Sequence, residues 1–187
     1  MMKYAITGGI GSGKTYICNI LKIKGFDIYN CDEAAKKLMC ISTEVKDAII
    51  KLIGTNAYKS NEPDKTVIAA FILKSKKNMT ALNSIIHPQV AADFIASKQN
   101  FLESAILFES GFDKLVDKVI CVTAPLEMRI NRIMQRDTIS RVTAQKWIYR
   151  QMKQEEKAKR SDYIIVNDEK SNLNSQIDNI ILKIKNT

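Results

Sequence analysis

The chain has 187 residues with a formal net charge of +9 at pH 7, and 45% of its residues are hydrophobic. This length accommodates one substantial core plus a modest insertion and argues against two large independent domains. No apolar run approaches the roughly 20 residues that span a bilayer, and the first residues lack the apolar segment and cleavage site of a signal peptide. We therefore expect a soluble, cytoplasmic protein with no membrane partner.

The charge and the cysteines narrow the choice of ligands. Aromatic residues make up 7% of the chain, whereas modules that bind single-stranded nucleic acid interleave basic residues with exposed aromatics. Basic residues concentrate between positions 129 and 160, which suits a segment that closes over phosphates, although a solvated helix face has the same composition. We expect no nucleic-acid partner. The four cysteines form no C-x-x-C pair and His87 is the one histidine, so we expect reduced, buried thiols and no zinc site.

The first part of the chain predicts a strand, a glycine loop, a helix and a second strand. Residues 3–7 form a short β-prone run that ends at the glycine cluster of residues 8–13. A helical pattern follows, and Gly25 ends it. Residues 26–29 then predict a second strand, which leads into Asp32.

The segment from Glu33 to about Gln99 predicts helices throughout. Its apolar residues recur at helical spacing, and strand signals are missing. Turns are expected near residues 54–63 and 76–78. We interpret this segment as a helical insertion.

The remainder of the chain alternates between predicted strands and helices. Two strands are predicted at residues 104–108 and 118–122, each a continuous apolar run typical of a parallel sheet buried on both faces. A further strand is expected at residues 163–166. The helices are expected at residues 125–136, 143–160 and 178–184. Together these elements predict an α/β fold with a doubly wound, five-stranded parallel sheet.

Residues 8–15 match the motif G-x-x-x-x-G-K-[ST] in the strand-to-helix context that the motif requires. Consecutive backbone N–H groups must turn inward around a polyphosphate, and glycine removes the Cβ atoms that would block this approach. The following helix adds unpaired N–H groups and the positive end of its dipole. Lys14 supplies a charge at the β- and γ-phosphate oxygens, and the Thr15 hydroxyl is placed to bind Mg²⁺. The motif predicts a site for ATP and Mg²⁺ in a fold of the P-loop NTPase type.

Two carboxylates are candidates for contact with the phosphoryl acceptor. Asp32 follows the second predicted strand and can orient or deprotonate a substrate hydroxyl, and capping the helix near Glu33 is an alternative that is compatible with this role. Glu109 follows the run at 104–108 and should emerge at the carboxyl edge of the sheet, where it can hold metal-bound water or a substrate hydroxyl. A solvated carboxylate at the end of a strand is the alternative for Glu109.

Three arginines flank a predicted turn between two helices. Arg132 and Arg136 precede residues 137–140, and Arg141 follows them. Guanidinium groups on a closing lid can stabilise the charge of a phosphoryl group in transfer and exclude water from it. We expect this role for Arg132 and Arg136, with a solvated helix face as the alternative.

The chain resembles the dephospho-coenzyme A kinase family over nearly its whole length. The resemblance follows ordered landmarks at residues 6–14, Asn30-Cys31-Asp32, 82–88, 107–111, Arg132, Arg136-Asp137, Gln151 and 161–167. Three residues depart from the family pattern. Asn30 replaces an aspartate, Lys65 an arginine and Arg129 a glutamine.

The resemblance implies ATP-dependent phosphorylation of the ribose 3′-hydroxyl of dephospho-coenzyme A, with Mg²⁺ as cofactor, by a monomer. It implies a nucleotide-binding core at residues 1–32, 87–129 and 151–187, an acceptor-binding insertion at 33–86 and a lid at 130–150. Lys14, Asp32, Arg132 and Arg136 would be catalytic. With the motif, it implies ATP contacts from Gly9, Ile10, Gly11, Ser12, Gly13, Lys14, Thr15, Tyr16 and Asn167. The implied substrate contacts are Thr7, Asp32, His87 and Glu109, although His87 could instead form a hydrogen bond within the hinge.

Two other functions share parts of this pattern. A nucleoside or nucleotide kinase would have the same loop, lid and helical acceptor region. Acceptor specificity would separate it from a dephospho-coenzyme A kinase. A nucleotide-driven switch or a nucleic-acid-binding ATPase would fit the positive charge, but the sequence has no N-K-x-D motif for guanine.

Overall fold

The computed structural model describes residues 2–185 of the chain. The strands are β1 (Tyr4–Thr7), β2 (Ile28–Asn30), β3 (Tyr58–Lys59), β4 (Glu62–Pro63), β5 (Phe101–Glu103), β6 (Lys118–Thr123) and β7 (Tyr163–Val166). The helices are α1 (Lys14–Ile23), α2 (Cys31–Ile41), α3 (Thr43–Ile53), α4 (Lys65–Lys74), α5 (Lys76–Ser97), α6 (Leu107–Ser110), α7 (Leu126–Asp137), α8 (Arg141–Tyr149), α9 (Gln154–Lys159) and α10 (Leu173–Lys185). Among residues 2–185, no helix has both the length and the apolarity needed to cross a membrane.

A five-stranded sheet in the order β2-β5-β1-β6-β7 forms the centre of the fold. The central strand β1 pairs in parallel with β5 and β6, and β6 pairs in parallel with β7. All four residues of β1 are buried, as expected for the middle of a sheet covered on both faces. The predicted doubly wound α/β fold with a five-stranded parallel sheet is confirmed.

The main apolar core joins this sheet to α1 and α10. It contains the buried residues Tyr4, Ile6, Ile17, Leu21, Phe101, Ile120, Ile165, Ile177 and Ile181, among others. The ring of Phe101 stacks on Tyr4 with centroids 5.1 Å apart and contacts Phe26 edge-on at 5.0 Å. Because α1 packs directly on β1, the loop between these two elements is fixed at both ends.

Two predicted elements of this core were wrong. The strand expected at residues 104–108 lies earlier, as β5, and the apolar run instead begins the short helix α6. A continuous apolar run signals burial but does not distinguish a strand from a buried helix. The single helix expected at 143–160 is two helices, α8 and α9, because residues between them make hydrogen bonds to other segments.

The chain divides into two compact units, one formed by residues 1–29 and 99–187 and the other by residues 30–98. The second unit contains α2 to α5 and a hairpin of β3 and β4, so the expectation that it lacks strands was wrong. Ser60 and Asn61 form the two-residue turn of this hairpin, both with positive φ. Such turns select residues that tolerate left-handed backbone, which a helical apolar pattern does not reveal.

Side-chain caps begin each helix of the second unit. The caps are Asn30 for α2, Ser42 for α3, Asp64 for α4 and Ser75 for α5. Asn30 Oδ1 accepts the backbone N–H of Glu33 at 2.9 Å. The alternative role of Asp32 as a helix cap was therefore wrong, because α2 begins before it and places it in the first turn.

Candidate active site

The loop between β1 and α1 needs glycine for its backbone path and for the space around it. Gly8, Gly11 and Gly13 have φ values of 146°, 79° and 94°, which residues other than glycine rarely adopt. A Cβ atom at Gly8 would overlap the carbonyl oxygen of Val122, and one at Gly13 would overlap the side-chain amide of Asn167. The loop is therefore packed closely against Val122 and Asn167.

Three side chains hold successive carbonyl groups of this loop. Arg129 Nε donates to the carbonyl of Ile10 at 3.0 Å, Arg132 Nη1 to that of Gly11 at 3.5 Å, and Asn167 Nδ2 to that of Ser12 at 2.9 Å. In a trans peptide the N–H points opposite to the C=O. The N–H groups of Gly11 and Gly13 therefore lie on the other side of the loop, where a phosphate can bind.

Lys14 and the start of α1 complete the electrostatics of the loop. The buried Lys14 Nζ donates to the carbonyls of Gly8 at 3.1 Å and Gly9 at 3.4 Å. The N-terminus of α1 has no side-chain cap and no acidic residue in its first turn. Its N–H groups and its dipole thus favour an anion at this end of the helix. Thr15, in the same turn, is exposed.

The loop and the start of α1 open onto a cleft of about 210 Å³. Its lining comprises Gly11, Gly13, Lys14, Thr15, Arg132, Ile133 and Arg136. The structure thus brings both predicted arginines to the phosphate loop. Arg132 Nη2 also contacts Asn167 Oδ1 at 3.4 Å and Glu169 Oε1 at 3.2 Å.

Arg136 is exposed at the end of α7 and forms a two-pronged contact with the neighbouring Asp137, with the shorter N–O distance 2.7 Å. This hydrogen bond raises the pKa of Arg136 above its usual value. The side chain therefore stays charged at the mouth of the cleft. Arg141, at the start of α8, pairs instead with Glu127 at 2.7 Å, and the cleft lining does not include it.

Glu109 lies on α6, after β5, and is not a simple solvated carboxylate. Its Oε1 accepts the backbone N–H of Met152 at 2.9 Å and pairs with Lys157 Nζ at 2.8 Å. Lys157 is fully buried and also donates to the carbonyl of Ala105. The Oε2 atom of Glu109 has no hydrogen bond or ion pair among residues 2–185, so it can still accept one from a ligand.

Other predicted site residues differ in exposure. Thr7 is fully buried and its hydroxyl, like that of Ser12, has no hydrogen-bond partner in the described part of the chain. Tyr16 is exposed on α1. Asp32 is exposed in α2, and His87 is half-buried in α5, where burial lowers its pKa. Asp32 and His87 belong to residues 30–98, and the contacts of Thr7, Asp32 and His87 with a substrate stay predictions.

Sequence reasoning missed the contacts that Arg129, Gln151 and Lys157 make around this site. Arg129 and Gln151 drew attention only as positions compared with a family pattern, and Lys157 did not stand out within a charged segment. Their roles depend on contacts over long sequence distances, such as that from Gln151 Oε1 to the N–H of Ile10 at 2.9 Å. Only an excess of basic residues between 129 and 160 marked this region.

The site consists of a strand, a glycine loop followed by a buried lysine, and two arginines from α7. These features define the site of a P-loop phosphotransferase. The family model of dephospho-CoA kinase matches residues 2–172. The chain belongs to the dephospho-CoA kinase family, as its sequence pattern predicts.

Individual relatives agree with this membership. The dephospho-CoA kinase of Bacteroides fragilis is 36% identical over 183 residues, which cover 94% of this chain and 89% of the relative. A crystal structure of a protein from Thermus thermophilus has a TM-score of 0.82 at 25% identity, covering 98% of this chain and 95% of that one. The dephospho-CoA kinase from Campylobacter jejuni has a TM-score of 0.69 at 26% identity, covering 97% and 96%.

Proposed function

We propose that this protein transfers the γ-phosphoryl group of ATP to the ribose 3′-hydroxyl of dephospho-coenzyme A, which gives coenzyme A and ADP. This reaction is the last step of coenzyme A synthesis. The observation that carries the proposal is the cleft in which Lys14, Thr15, Arg132 and Arg136 surround the phosphate loop of a chain from this family. We also propose that the protein acts as a monomer in the cytoplasm. Light scattering of the purified protein would test the oligomeric state.

The phosphate loop holds the β- and γ-phosphates in this mechanism. The N–H groups of Gly11 and Gly13 and the first turn of α1 donate to phosphate oxygens, and Lys14 moves its ammonium group from the loop carbonyls to the phosphates or bridges both. Arg132 and Arg136 approach from α7 and stabilise the charge on the group in transfer. The loop backbone is held by Arg129, Arg132 and Asn167 without nucleotide, so binding of ATP mainly requires movement of side chains such as that of Lys14.

The site fits Mg²⁺ carried by the nucleotide. Among residues 2–185, no group of three or more His, Cys, Asp or Glu is placed to hold a metal. Mg²⁺ usually keeps several waters and binds through one or two protein groups plus substrate phosphates. The exposed Thr15 hydroxyl beside Lys14 would be that protein ligand. Held there, Mg²⁺ would supply positive charge that offsets the negative charge of the ATP phosphates.

The acceptor hydroxyl is oriented by Asp32 in our proposal. Its carboxylate is exposed in the first turn of α2 and is not used for capping, so it can accept the hydroxyl's proton or a hydrogen bond from it. Glu109 offers its Oε2 atom to a second substrate hydroxyl or to metal-bound water. His87 contacts the acceptor from α5, and the insertion around it receives the rest of dephospho-coenzyme A.

An assay of ADP release with ATP and Mg²⁺ tests the substrate directly. We expect selective turnover of dephospho-coenzyme A over adenosine, AMP and CMP at equal concentrations, with coenzyme A as product. Turnover with a nucleoside or nucleotide alone would instead establish a kinase of the same fold with another acceptor.

The role of Asp32 is tested by Asp32→Asn. We expect turnover to fall by about 10²- to 10⁴-fold, the range for loss of a general base, whereas the Kd of ATP measured by calorimetry changes little. Glu33→Gln is the matched control, because Glu33 is exposed in the same turn of α2. Near-normal turnover of Asp32→Asn would contradict the assignment.

A further inference from the structure

One residue of the phosphate loop, Ile10, fastens this loop to α7 and α8. Its carbonyl accepts Arg129 Nε at 3.0 Å, and its N–H donates to Gln151 Oε1 at 2.9 Å. Its side chain packs against the apolar cluster that joins the two helices, which consists of Ile130, Ile133, Ala144 and Ile148. Both peptide groups that flank Ile10 are therefore held from outside the loop.

Gln151 is itself held in place by the end of α8. Its backbone N–H donates to the carbonyl of Ile148 at 3.2 Å, and its side chain is half-buried. The next residue, Met152, donates its N–H to Glu109 at 2.9 Å. The segment 151–152 thus links the phosphate loop on one side to Glu109 on the other.

The Ile10 N–H differs from the N–H groups of Gly11 and Gly13 because a side chain outside the loop accepts its hydrogen bond. The bond to Gln151 uses this N–H, while the peptide groups that supply the N–H groups of Gly11 and Gly13 are oriented through their carbonyls. Without the Gln151 acceptor, the loop would gain conformations in which the peptide at Ile10 rotates to find another partner. Fewer molecules would then have the loop ready for phosphate, and the apparent Kd would rise by the inverse of that fraction.

We propose that Gln151 is a positioning residue of the phosphoryl-transfer site. It acts through the Ile10 N–H to keep the loop in the form that binds the phosphates of ATP, and it has no contact with the reacting atoms. The inference rests on the proposed function to the extent that ATP is the ligand of the loop. It concerns ATP binding and not the choice of acceptor.

The test compares Gln151→Met with Gln89→Met. Methionine keeps the length of the side chain and removes the carbonyl acceptor. The control side chain, Gln89 on α5, is half-buried and donates to Glu44 Oε1 at 3.2 Å. Gln89→Met therefore also loses a side-chain hydrogen bond, in the unit of residues 30–98, which contains no part of the loop. We expect the Kd of Mg²⁺ with a non-hydrolysable ATP analogue to rise about tenfold in Gln151→Met and less than about twofold in Gln89→Met.

Amide exchange of Ile10, measured by NMR without nucleotide, gives a direct second readout. The Ile10 N–H should exchange much faster in Gln151→Met than in the wild type, and at the wild-type rate in Gln89→Met. Gln151→Glu retains an acceptor oxygen, so it should restore protection of this amide even though its charge weakens ATP binding. Unchanged Ile10 exchange in Gln151→Met, or an equal rise of the Kd in Gln89→Met, would overturn the proposal.

Steady-state kinetics keep this inference separate from the proposed function. In Gln151→Met the KM of ATP should rise with the Kd, while the KM of dephospho-coenzyme A stays within about twofold of the wild type, because Gln151 acts through the ATP loop. If the wild type fails to phosphorylate dephospho-coenzyme A, the proposed function is lost. The nucleotide-binding and amide-exchange results still decide the role of Gln151 in that case.

Discussion

Asn30 caps the helix α2, which leaves Asp32 available for the role that we propose for it. The Asn30 side chain caps α2 by accepting the N–H of Glu33, and either asparagine or aspartate caps a helix well. The departure from the family pattern at position 30 therefore keeps the local structure. It leaves Asp32 in the first turn of α2 with its side chain exposed.

The four cysteines should differ sharply in reactivity. Cys18, Cys31 and Cys121 are buried and Cys40 is exposed. Burial raises the pKa of the Cys18 thiol to about 12 and that of Cys121 to about 11. Because the thiolate is the nucleophile, iodoacetamide at pH 8 should modify Cys40 first. Intact mass should show one early addition to the native protein and four additions in denaturant.

Cys40→Ser is the control for this experiment, and it should show no early addition. The reaction at Cys40 should also be slower than that of a free thiol. Its Sγ–H donates to Glu62 at 3.5 Å, and partial desolvation with this hydrogen bond raises its pKa. Rapid modification of native Cys40→Ser would show that a buried thiol is accessible.

The sequence predicts individual residues well where chemistry ties them to a fixed spacing. The loop from Gly8 to Thr15 could be recognised because phosphate binding requires glycine, lysine and a hydroxyl at set positions. The buried position of Lys157 could not be predicted in this way, because nothing in the local sequence distinguishes a fully buried lysine from its exposed neighbours. Its burial arises from Glu109 and the Ala105 carbonyl, which lie far away in the sequence.

The buried Lys157 links the helix α9 to Glu109 on α6. Lys157 Nζ pairs with Glu109 at 2.8 Å, and the lysine side chain is fully buried while that of Glu109 is 26% exposed. Replacing Lys157 with methionine leaves the carboxylate without its counter-charge in a partly desolvated place. We expect the free energy of unfolding to fall by about 1–3 kcal/mol, less than for a fully buried pair because water still reaches Glu109. Urea titration measures this change.

The double variant Lys157→Met/Glu109→Gln separates the pair from the packing of the lysine stem. Removing the unpaired charge should recover part of the stability, so the two changes should not be additive. Lys159→Met, in the last turn of the same helix and exposed, serves as the control. Additive losses in the double variant would mean that the ion pair contributes nothing measurable.

Prediction of whole elements failed where tertiary contacts override the local pattern. The apolar run at 104–108 predicts burial but not the type of secondary structure, because β5 ends before the run and α6 begins within it. The helical pattern at 143–160 continues through a break at which Gln151 and Met152 bond to Ile10 and Glu109. The predicted strands β6 and β7 were found because each contains a run of apolar residues, although β7 lies at the edge of the sheet and leaves Ile164 and Val166 exposed.

At the scale of the whole molecule, the positive charge bears on how the anionic substrates arrive. The formal net charge is +9, and the cleft itself is lined by Lys14, Arg132 and Arg136. A field of one sign around a cleft raises the association rate of an oppositely charged ligand. Contacts that ATP makes inside the cleft would be at short range and screened less by salt, so we expect them to govern dissociation.

We therefore expect ATP binding to depend on salt through its association rate. The Debye length falls from about 30 Å at 0.01 M to about 3 Å at 1 M ionic strength, so long-range attraction is largely lost over this range. Stopped-flow measurement with a fluorescent ATP analogue should give an association rate constant that falls about tenfold or more, within the range for steered binding, while the dissociation rate constant changes much less. An association rate that is flat with salt, with all of the change in dissociation, would mean that the excess charge has no role in capture and that the ammonium and guanidinium groups of the cleft act only at contact.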